Sequence, residues 1–340
     1  MVGAVLVKGT KVIGQGWHHR AGEPHAEIEA LRDAAAKGND PAGAILYVTL
    51  EPCSTHGRTP PCTEAILAAR IKKVVVGATD PNPAHSGEGF RLLRRKGIEI
   101  VSGILAEEAA LLNEAFNHWI LHQTPLVTVK AAMTLDGKIA TASGESKWIT
   151  GAEARAYGMK LRHGADAVFV GVNTVLADDP GLTVRGLKVQ SPKRRIILDS
   201  QARTPLSAKV VADEFRKYTT VVVTRSAPGR RVAALAKRVN VWVAPERDGK
   251  INLPWLMKKL GAEQVTSILV EGGGEVNASF LLGGHAHRVA FFYAPLVLGG
   301  RDARKGVAGE GVQSLAEMVK LRDVEWRRLG RDLLLTARVS

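Results

Sequence analysis

Glu51-Pro52-Cys53-Ser54-Thr55-His56-Gly57-Arg58-Thr59-Pro60-Pro61-Cys62 follows a predicted strand and runs into a predicted helix, and it holds both cysteines of the chain. Upstream, Pro24-His25-Ala26-Glu27 opens another predicted helix. One His and two Cys form a donor set suited to Zn²⁺, with the fourth tetrahedral position left for water. Zinc lowers the pKa of such a water toward ~7. A carboxylate two residues from the ligating His can reach that water without binding the metal, which gives Glu27 the proton-carrying role. Helix starts behind Cys53 and Cys62 favour thiolates. A lone His-x-Glu, or two buried cysteines, would mean little; the ordered combination carries the assignment of His25, Cys53 and Cys62 as ligands.

Outward from this stretch the apolar pattern alternates between periods of 2 and 3.6. Residues 2–7 and 11–16 read as two strands around the turn Lys8-Gly9-Thr10. Residues 24–37 read as a helix, with Ile28, Leu31 and Ala35 on one face and Gly38 just past its end. Strands are expected at 44–50, 73–77 and 98–102, and helices at 61–69 and 86–96. The order β-β-α-β-α-β-α-β predicts a mixed sheet flanked by helices. One helix over 106–122 completes a first domain, 1–122. Gln123-Thr124-Pro125 then breaks the pattern, because Pro restricts its predecessor and cannot continue a helix. A second α/β domain, 125–340, has expected strands at 126–131, 167–170, 195–199, 220–224, 239–243, 267–271, 289–293, 324–329 and 333–339. Its expected helices are 152–163, 253–260 and 275–282.

Length and composition agree with two domains. The 340 residues exceed the ~250–300 at which a single core stops growing. Hydrophobic residues at 45% and charged residues at 24% mark a globular chain rather than a disordered one. No apolar run approaches ~18 residues. The opening Met1-Val2-Gly3-Ala4-Val5-Leu6-Val7-Lys8 lacks the basic start of a signal peptide, so a cytoplasmic location is expected. Lys and Arg outnumber Asp and Glu by 47 to 33, a net +14 that suits an anionic partner. Aromatics at 5% leave few stacking platforms, and the basic residues fall in short clusters such as Arg94-Arg95-Lys96. Both features favour phosphorylated small molecules over nucleic acid. Two cysteines are too few for a disulfide scaffold.

Zinc deaminases of nucleobases carry His-x-Glu followed by Pro-Cys-x-x-Cys. Here eight residues, not two, separate Cys53 from Cys62. With that longer spacing the stretch resembles the riboflavin-biosynthesis deaminases, as do Ala21-Gly22-Glu23-Pro24-His25-Ala26-Glu27 and Thr79-Asp80-Pro81-Asn82-Pro83. The resemblance implies a cytidine-deaminase-like first domain. It would hydrolyse a diamino-ribosylamino-pyrimidinone 5′-phosphate to the uracil with loss of ammonia, while the inserted loop with His56 and Arg58 helps hold the substrate.

The second half resembles the matching reductase, which implies a dihydrofolate-reductase-like domain. The resemblance rests on Lys130-Ala131-Ala132-Met133-Thr134-Leu135-Asp136-Gly137, Val172-Asn173-Thr174-Val175-Leu176-Ala177-Asp178-Asp179-Pro180 and Val270-Glu271-Gly272-Gly273-Gly274, with shorter motifs between and after them. It runs in order along essentially the whole chain. It implies NADPH against Ala132, Trp148, Thr174, Asp178, Ser200, Gly273, Gly274, Glu275, Val276, Asn277, Ala278 and Ser279. It implies substrate against Ser146, Arg162, Leu182, Arg185 and Glu271. The residues suit these roles: glycines after a strand let backbone N–H groups close on a dinucleotide phosphate, and arginines bind a sugar phosphate bidentately. The implied step is hydride transfer to the ribosyl C1′, with Lys130, Asp178 and Glu271 as ionisable candidates for the accompanying proton.

Members of this family usually start with a further helix and an Asn-Pro pair before the Val-Gly-Ala strand, whereas this sequence opens at Met1-Val2-Gly3-Ala4. The expectation is that Met1 is an internal methionine, since every zinc-site residue is present. The leading expectation is therefore a bifunctional enzyme acting on phosphorylated pyrimidines as a homo-oligomer, with no nucleic-acid or membrane partner. A monofunctional reductase with an inactive first domain is the first rival, and a nucleic-acid deaminase or RNA-binding protein the second.

Overall fold

A computed structural model describes residues 1–20, 22–57, 59–188 and 191–340. The chain forms two compact units, Met1–His122 and Gln123–Ser340. Among the described residues no helix is long and apolar enough to cross a membrane.

In the first unit, β1 (Gly3–Lys8), β2 (Lys11–Trp17), β3 (Ile45–Leu50), β4 (Lys73–Ala78) and β5 (Glu99–Ser102) form one sheet in the order 2-1-3-4-5. β1 pairs antiparallel with β2 and β3, and β3, β4 and β5 run parallel. α1 (Ala26–Ala36), α2 (Cys62–Ala68) and α3 (Glu88–Arg95) connect them in the β-β-α-β-α-β-α-β order that the pattern predicts. α1 lies unusually close to β2, because a Cβ on Gly14 would sit 2.3 Å from Ala30 O, and one on Gly16 2.5 Å from Ala30 N. Its buried face is correspondingly small: Ala26, Ala30 and Ala34 are wholly buried. The start of α1, where His25 and Glu27 sit, is thereby fixed against the sheet.

The single helix expected over 106–122 is two, α4 (Ala106–Leu112) and α5 (Glu114–His122). Asn113 separates them with φ −113° and ψ 16°, its side chain accepting a hydrogen bond from the Met1 amine. Asparagine side chains compete with helical backbone bonding, which suits Asn113 to a break.

The second unit is built on a nine-stranded sheet. Its elements in chain order are β6 (Leu126–Thr134), β7 (Lys138–Ala140), α6 (Ala152–Gly164), β8 (Ala167–Gly171), α7 (Val172–Asp178), β9 (Arg194–Leu198), α8 (Lys209–Ala212), β10 (Thr219–Thr224), α9 (Gly229–Ala236), β11 (Asn240–Ala244), β12 (Glu246–Arg247), β13 (Lys250–Ile251), α10 (Leu253–Ala262), β14 (Ser267–Val270), α11 (Gly274–Leu281), β15 (Arg288–Ala294), β16 (Arg304–Lys305), β17 (Leu321–Leu329) and β18 (Asp332–Val339). The order across the large sheet is 11-10-9-8-14-6-15-18-17. The seven strands from β11 to β15 run parallel, and β18 and β17 close the edge antiparallel. Every residue of β8 and β10 is buried, as expected of parallel strands covered on both faces. The elements α7, α8, α9, β7, β12, β13 and β16 have no counterpart in the sequence reading; α8, β7, β12, β13 and β16, of two to four residues, are too short to show a period.

Candidate active sites

His25 is the N-cap of α1, in extended backbone, and Glu27 is the second residue of that helix. Cys62 is the first residue of α2, and Cys53 lies in the turn after β3. That turn is closed by Thr63 N–H donating to Cys53 O at 3.1 Å and Cys62 N–H donating to Cys53 Sγ at 3.3 Å. Nδ1 of His25 lies 3.5 Å from Cys53 Sγ and 3.3 Å from Cys62 Sγ. Tetrahedral zinc with bonds of ~2.3 Å to sulfur and ~2.0 Å to nitrogen needs S···N edges of ~3.6 Å, so the triangle is close to size. The far ring nitrogen, Nε2, lies 3.3 Å from Thr59 Oγ1. A proton on Nε2 shared with Thr59 leaves the Nδ1 lone pair facing the sulfurs. Among the described residues this is the one group of three His, Cys, Asp or Glu whose ligand atoms come together, all within 4.8 Å.

The electrostatics of the cluster fit a cation. A hydrogen bond from the Cys62 thiol, followed by those from His25 and the Cys62 N–H, holds Cys53 well below the ordinary thiol value. The same bond, and burial, push Cys62 up, and the bond to Cys53 raises His25. Glu27 is 3% exposed, and burial pushes its carboxyl up to about 7. A thiolate, a second sulfur and an imidazole nitrogen thus converge beside a buried carboxyl, a donor set that suits zinc. His56 stands exposed in the inserted loop, and Arg58 lies outside the described residues.

In the second unit the predicted residues gather at the carboxyl ends of the parallel strands, the usual ligand edge of such a sheet. A cavity of about 810 Å³ is lined by Ser146, Thr174, Asp178, Gly273, Gly274, Glu275 and Val276. A second, of about 570 Å³, is lined by Ser200 and Ser279, and it shares Leu198, Glu275 and Val276 with the first. Gly272, two residues before α11, has a packing reason: a Cβ there would meet Val276 Cβ at 2.5 Å. Asn277 and Ala278 are buried instead, and Asn277 Nδ2 donates to Gly306 O at 2.8 Å, so these two support the 303–309 strap from beneath. Trp148 is exposed outside both linings, with the Arg155 guanidinium 4.7 Å above its ring. Ala132, on β6, also lies outside both linings.

The substrate candidates form a charged cluster. Arg162, near the end of α6, clamps Glu271, just past β14, through Nε to Oε1 at 2.6 Å and Nη2 to Oε2 at 2.7 Å. Arg162 Nη1 also donates to Thr183 O at 3.1 Å. One N–H on each Nη remains for a ligand. Lys130 Nζ stands 4.0 Å from Glu271 Oε2. Burial pushes Glu271 up, but the charges of Arg162, Lys130 and Arg185 outweigh it and leave the carboxyl below its ordinary value. Arg185 is exposed, while Leu182 is buried at φ +51°.

Sequence reasoning missed several lining residues of the larger cavity, among them Asn173, Ala303, Arg304 and Lys305. The glycine-rich run Gly299, Gly300, Gly306, Gly309 and Gly311 is the signal that could have marked the strap. It also missed Thr59 and Glu51, whose partners are distant in sequence.

Comparison with known proteins finds a family match in each half of the chain. The profile described as the RibD C-terminal domain matches residues 125–335, and that of the cytidine and deoxycytidylate deaminase zinc-binding region matches residues 1–78. The riboflavin biosynthesis protein RibD of Actinobacillus pleuropneumoniae is 43% identical over 336 residues, covering 98% of this chain and 88% of its own length. The solved structure of Acinetobacter baumannii RibD, form 1, superposes with a TM-score of 0.87 at 36% identity, covering 100% of this chain and 92% of that one. A Thermotoga maritima diaminohydroxyphosphoribosylaminopyrimidine deaminase/5-amino-6-(5-phosphoribosylamino)uracil reductase gives 0.83 at 35% identity with the same coverage. Full-length relatedness, with a zinc-type triangle in one unit and a dinucleotide-sized pair of cavities in the other, means that the chain belongs to the RibD family, the bifunctional zinc-dependent deaminases and NADPH-dependent reductases of riboflavin biosynthesis.

Proposed function

We propose that residues 1–122 deaminate 2,5-diamino-6-ribosylamino-4(3H)-pyrimidinone 5′-phosphate. Residues 125–340 then reduce 5-amino-6-(5-phosphoribosylamino)uracil to the ribitylamino product. The observation that carries the first half is the convergence of His25 Nδ1, Cys53 Sγ and Cys62 Sγ beside the buried Glu27. These three side chains would hold the zinc, which when bound supplies a water acidic enough to act as nucleophile at neutral pH. Glu27, whose carboxyl takes and returns a proton near neutrality, moves a proton to the pyrimidine ring nitrogen and then to the departing amine. Thr59 holds the His25 ring in the ligating orientation.

In the second half, NADPH extends across the two cavities that share Leu198, Glu275 and Val276, a span suited to a dinucleotide. Thr174, Asp178, Gly273 and Gly274 flank its inner part, and Ser200 and Ser279 its outer part. Arg185 and the two remaining N–H groups of Arg162 take the substrate phosphate. Lys130 is placed beside Glu271 to move the proton that accompanies hydride transfer.

The substrates are phosphorylated small molecules, and neither nucleic acid nor a membrane enters the scheme, which we place in the cytoplasm. The chain would act as a homo-oligomer, supported by Trp326, Val324 and Leu333 lying exposed on the edge pair of the large sheet. Light scattering of purified protein is expected to give a multiple of the chain mass; the monomer mass would remove that part.

Elemental analysis is expected to find one zinc per chain, and Cys62→Ser to lose it. Zinc-free wild-type protein, or a Cys62→Ser variant that keeps its zinc, would refute the ligand set. Ammonia release from the pyrimidine phosphate, and NADPH consumption once it has been deaminated, test the two reactions together.

A further inference from the structure

Glu51 stands two residues before Cys53 and is only 5% exposed. Its carboxylate faces three backbone donors, all at the far side of one loop. Oε2 accepts from Asp80 N at 3.1 Å and Gly87 N at 2.9 Å, and Oε1 accepts from Gly89 N at 2.9 Å. Gly87 is the N-cap of α3 and Gly89 its second residue, and α3 has no side-chain cap within its own segment. Glu51 therefore caps that helix from a distant strand end, and the helix dipole takes up its buried charge. The fit is close on the other side of the carboxylate as well: a Cβ on Gly89 would lie 2.2 Å from Pro52 O and 3.2 Å from Glu51 Oε1.

The consequence falls on Cys53. Its turn is anchored downstream by Cys62 and Thr63 N–H groups, while upstream it hangs from Glu51 and Pro52. A charge buried here without partners would repel the Cys53 thiolate, whereas one neutralised by three N–H groups can act as a rigid anchor. We infer that Glu51 is a positioning residue of the deaminase, locking the Cys53 turn to the 80–89 loop so that Sγ stays at ligand distance from His25 and Cys62. It would touch neither metal nor substrate. The inference rests on Cys53 being a zinc ligand, as proposed above.

Second-sphere partners of this kind are typically worth 10–100-fold in metal affinity. The test uses the full chain loaded with zinc and follows zinc release into a chromogenic chelator at fixed temperature. Glu51→Gln keeps the shape but turns an NH₂ toward one donor, and should release zinc about 10–100-fold faster. Leu93→Ala weakens the same helix from its wholly buried apolar side, and should lower the unfolding temperature with zinc release near wild type. Release from Glu51→Gln at the wild-type rate would overturn the inference, as would equal acceleration by Leu93→Ala. If Glu51→Gln fails to fold, Gly89→Ala is read in the same assay. If that accelerates release, Glu51→Asp decides between a push on Pro52 and loss of the anchor. It keeps the charge but draws it back one methylene from the Asp80, Gly87 and Gly89 N–H groups. Faster release then supports the inference, and unchanged release from either variant overturns it. Wild-type zinc content and its loss in Cys53→Ser are measured alongside. If those controls fail, the ligand assignment is at fault; if they hold while Glu51→Gln is silent, only the positioning role is lost.

Discussion

Glu27→Gln is expected to lower deamination by about 10²–10⁴-fold while zinc content and NADPH-dependent reduction stay at wild-type levels. The substitution is nearly isosteric, so the first turn of α1 and the His25 N-cap keep their places. Glu27 is not one of the three groups that form the ligand triangle, and removing it takes away no metal donor. What disappears is a carboxyl that burial has raised to about 7, and with it the ability to accept and return a proton near neutrality. The reductase residues belong to the other compact unit. Ammonia release, zinc analysis and NADPH consumption on one preparation decide the matter. A variant deaminating at near wild-type rate would end the assignment, and one that has lost its zinc would make Glu27 a structural residue.

The second large effect is expected at Arg162, with Arg185 as its contrast. Arg162 and Glu271 have side chains 12% and 10% exposed and share a bidentate pair. Arg162→Ala leaves the Glu271 carboxylate buried with Lys130 at 4.0 Å and the weaker charge of Arg185. Breaking a buried pair from one side costs about 3–5 kcal/mol, or roughly 6–20 °C of unfolding temperature for a unit of this size. Reductase activity should fall with it. Arg162→Met combined with Glu271→Gln should recover much of the stability without the activity, since no charge is then stranded. Arg185 is exposed and its charge is the weakest of those that hold Glu271 down, so Arg185→Ala should cost far less stability than Arg162→Ala. Its KM for the phosphorylated substrate should rise by about 10- to 150-fold, with that for NADPH unaffected. Thermal unfolding and kinetics on phosphorylated and dephosphorylated substrate separate the two. Equal stability loss in both variants, or unchanged phosphate discrimination in Arg185→Ala, would contradict these roles.

The same pair sets an acid limit. Glu271 titrates below its ordinary value of 4.5 in the folded unit, so its stabilising contribution is complete above about that pH. It is lost as pH falls through the lower folded value. Arg162→Ala removes two of the causes that hold the carboxyl down while burial still pushes it up, so the loss of stability on acidification should shrink or reverse, which acid unfolding curves of the two proteins should show.

Much of the molecule is already settled by local sequence. The alternation of period-2 and period-3.6 segments specifies the strand and helix order of the first unit, because each element must bury one face. His25, Glu27, Cys53 and Cys62 are legible because zinc chemistry demands those residue types, and each falls at a helix start or a strand end. Tertiary structure decided what depends on partners far along the chain. The sheet order 2-1-3-4-5 brings His25 to within 3.3 Å of Cys62 across 37 positions, and no local pattern encodes that distance. Nor does the sequence reveal which imidazole nitrogen faces the sulfurs, since Thr59 reaches Nε2 only once the inserted loop has folded back. The break at Asn113 interrupts a helical apolar pattern that runs through it. Arg162 looks like a free phosphate ligand in sequence, and becomes half of a buried clamp only when the ends of α6 and β14 meet. Residue chemistry and periodicity are local properties, whereas which donor finds which acceptor is set by the packing of elements that lie far apart in the chain.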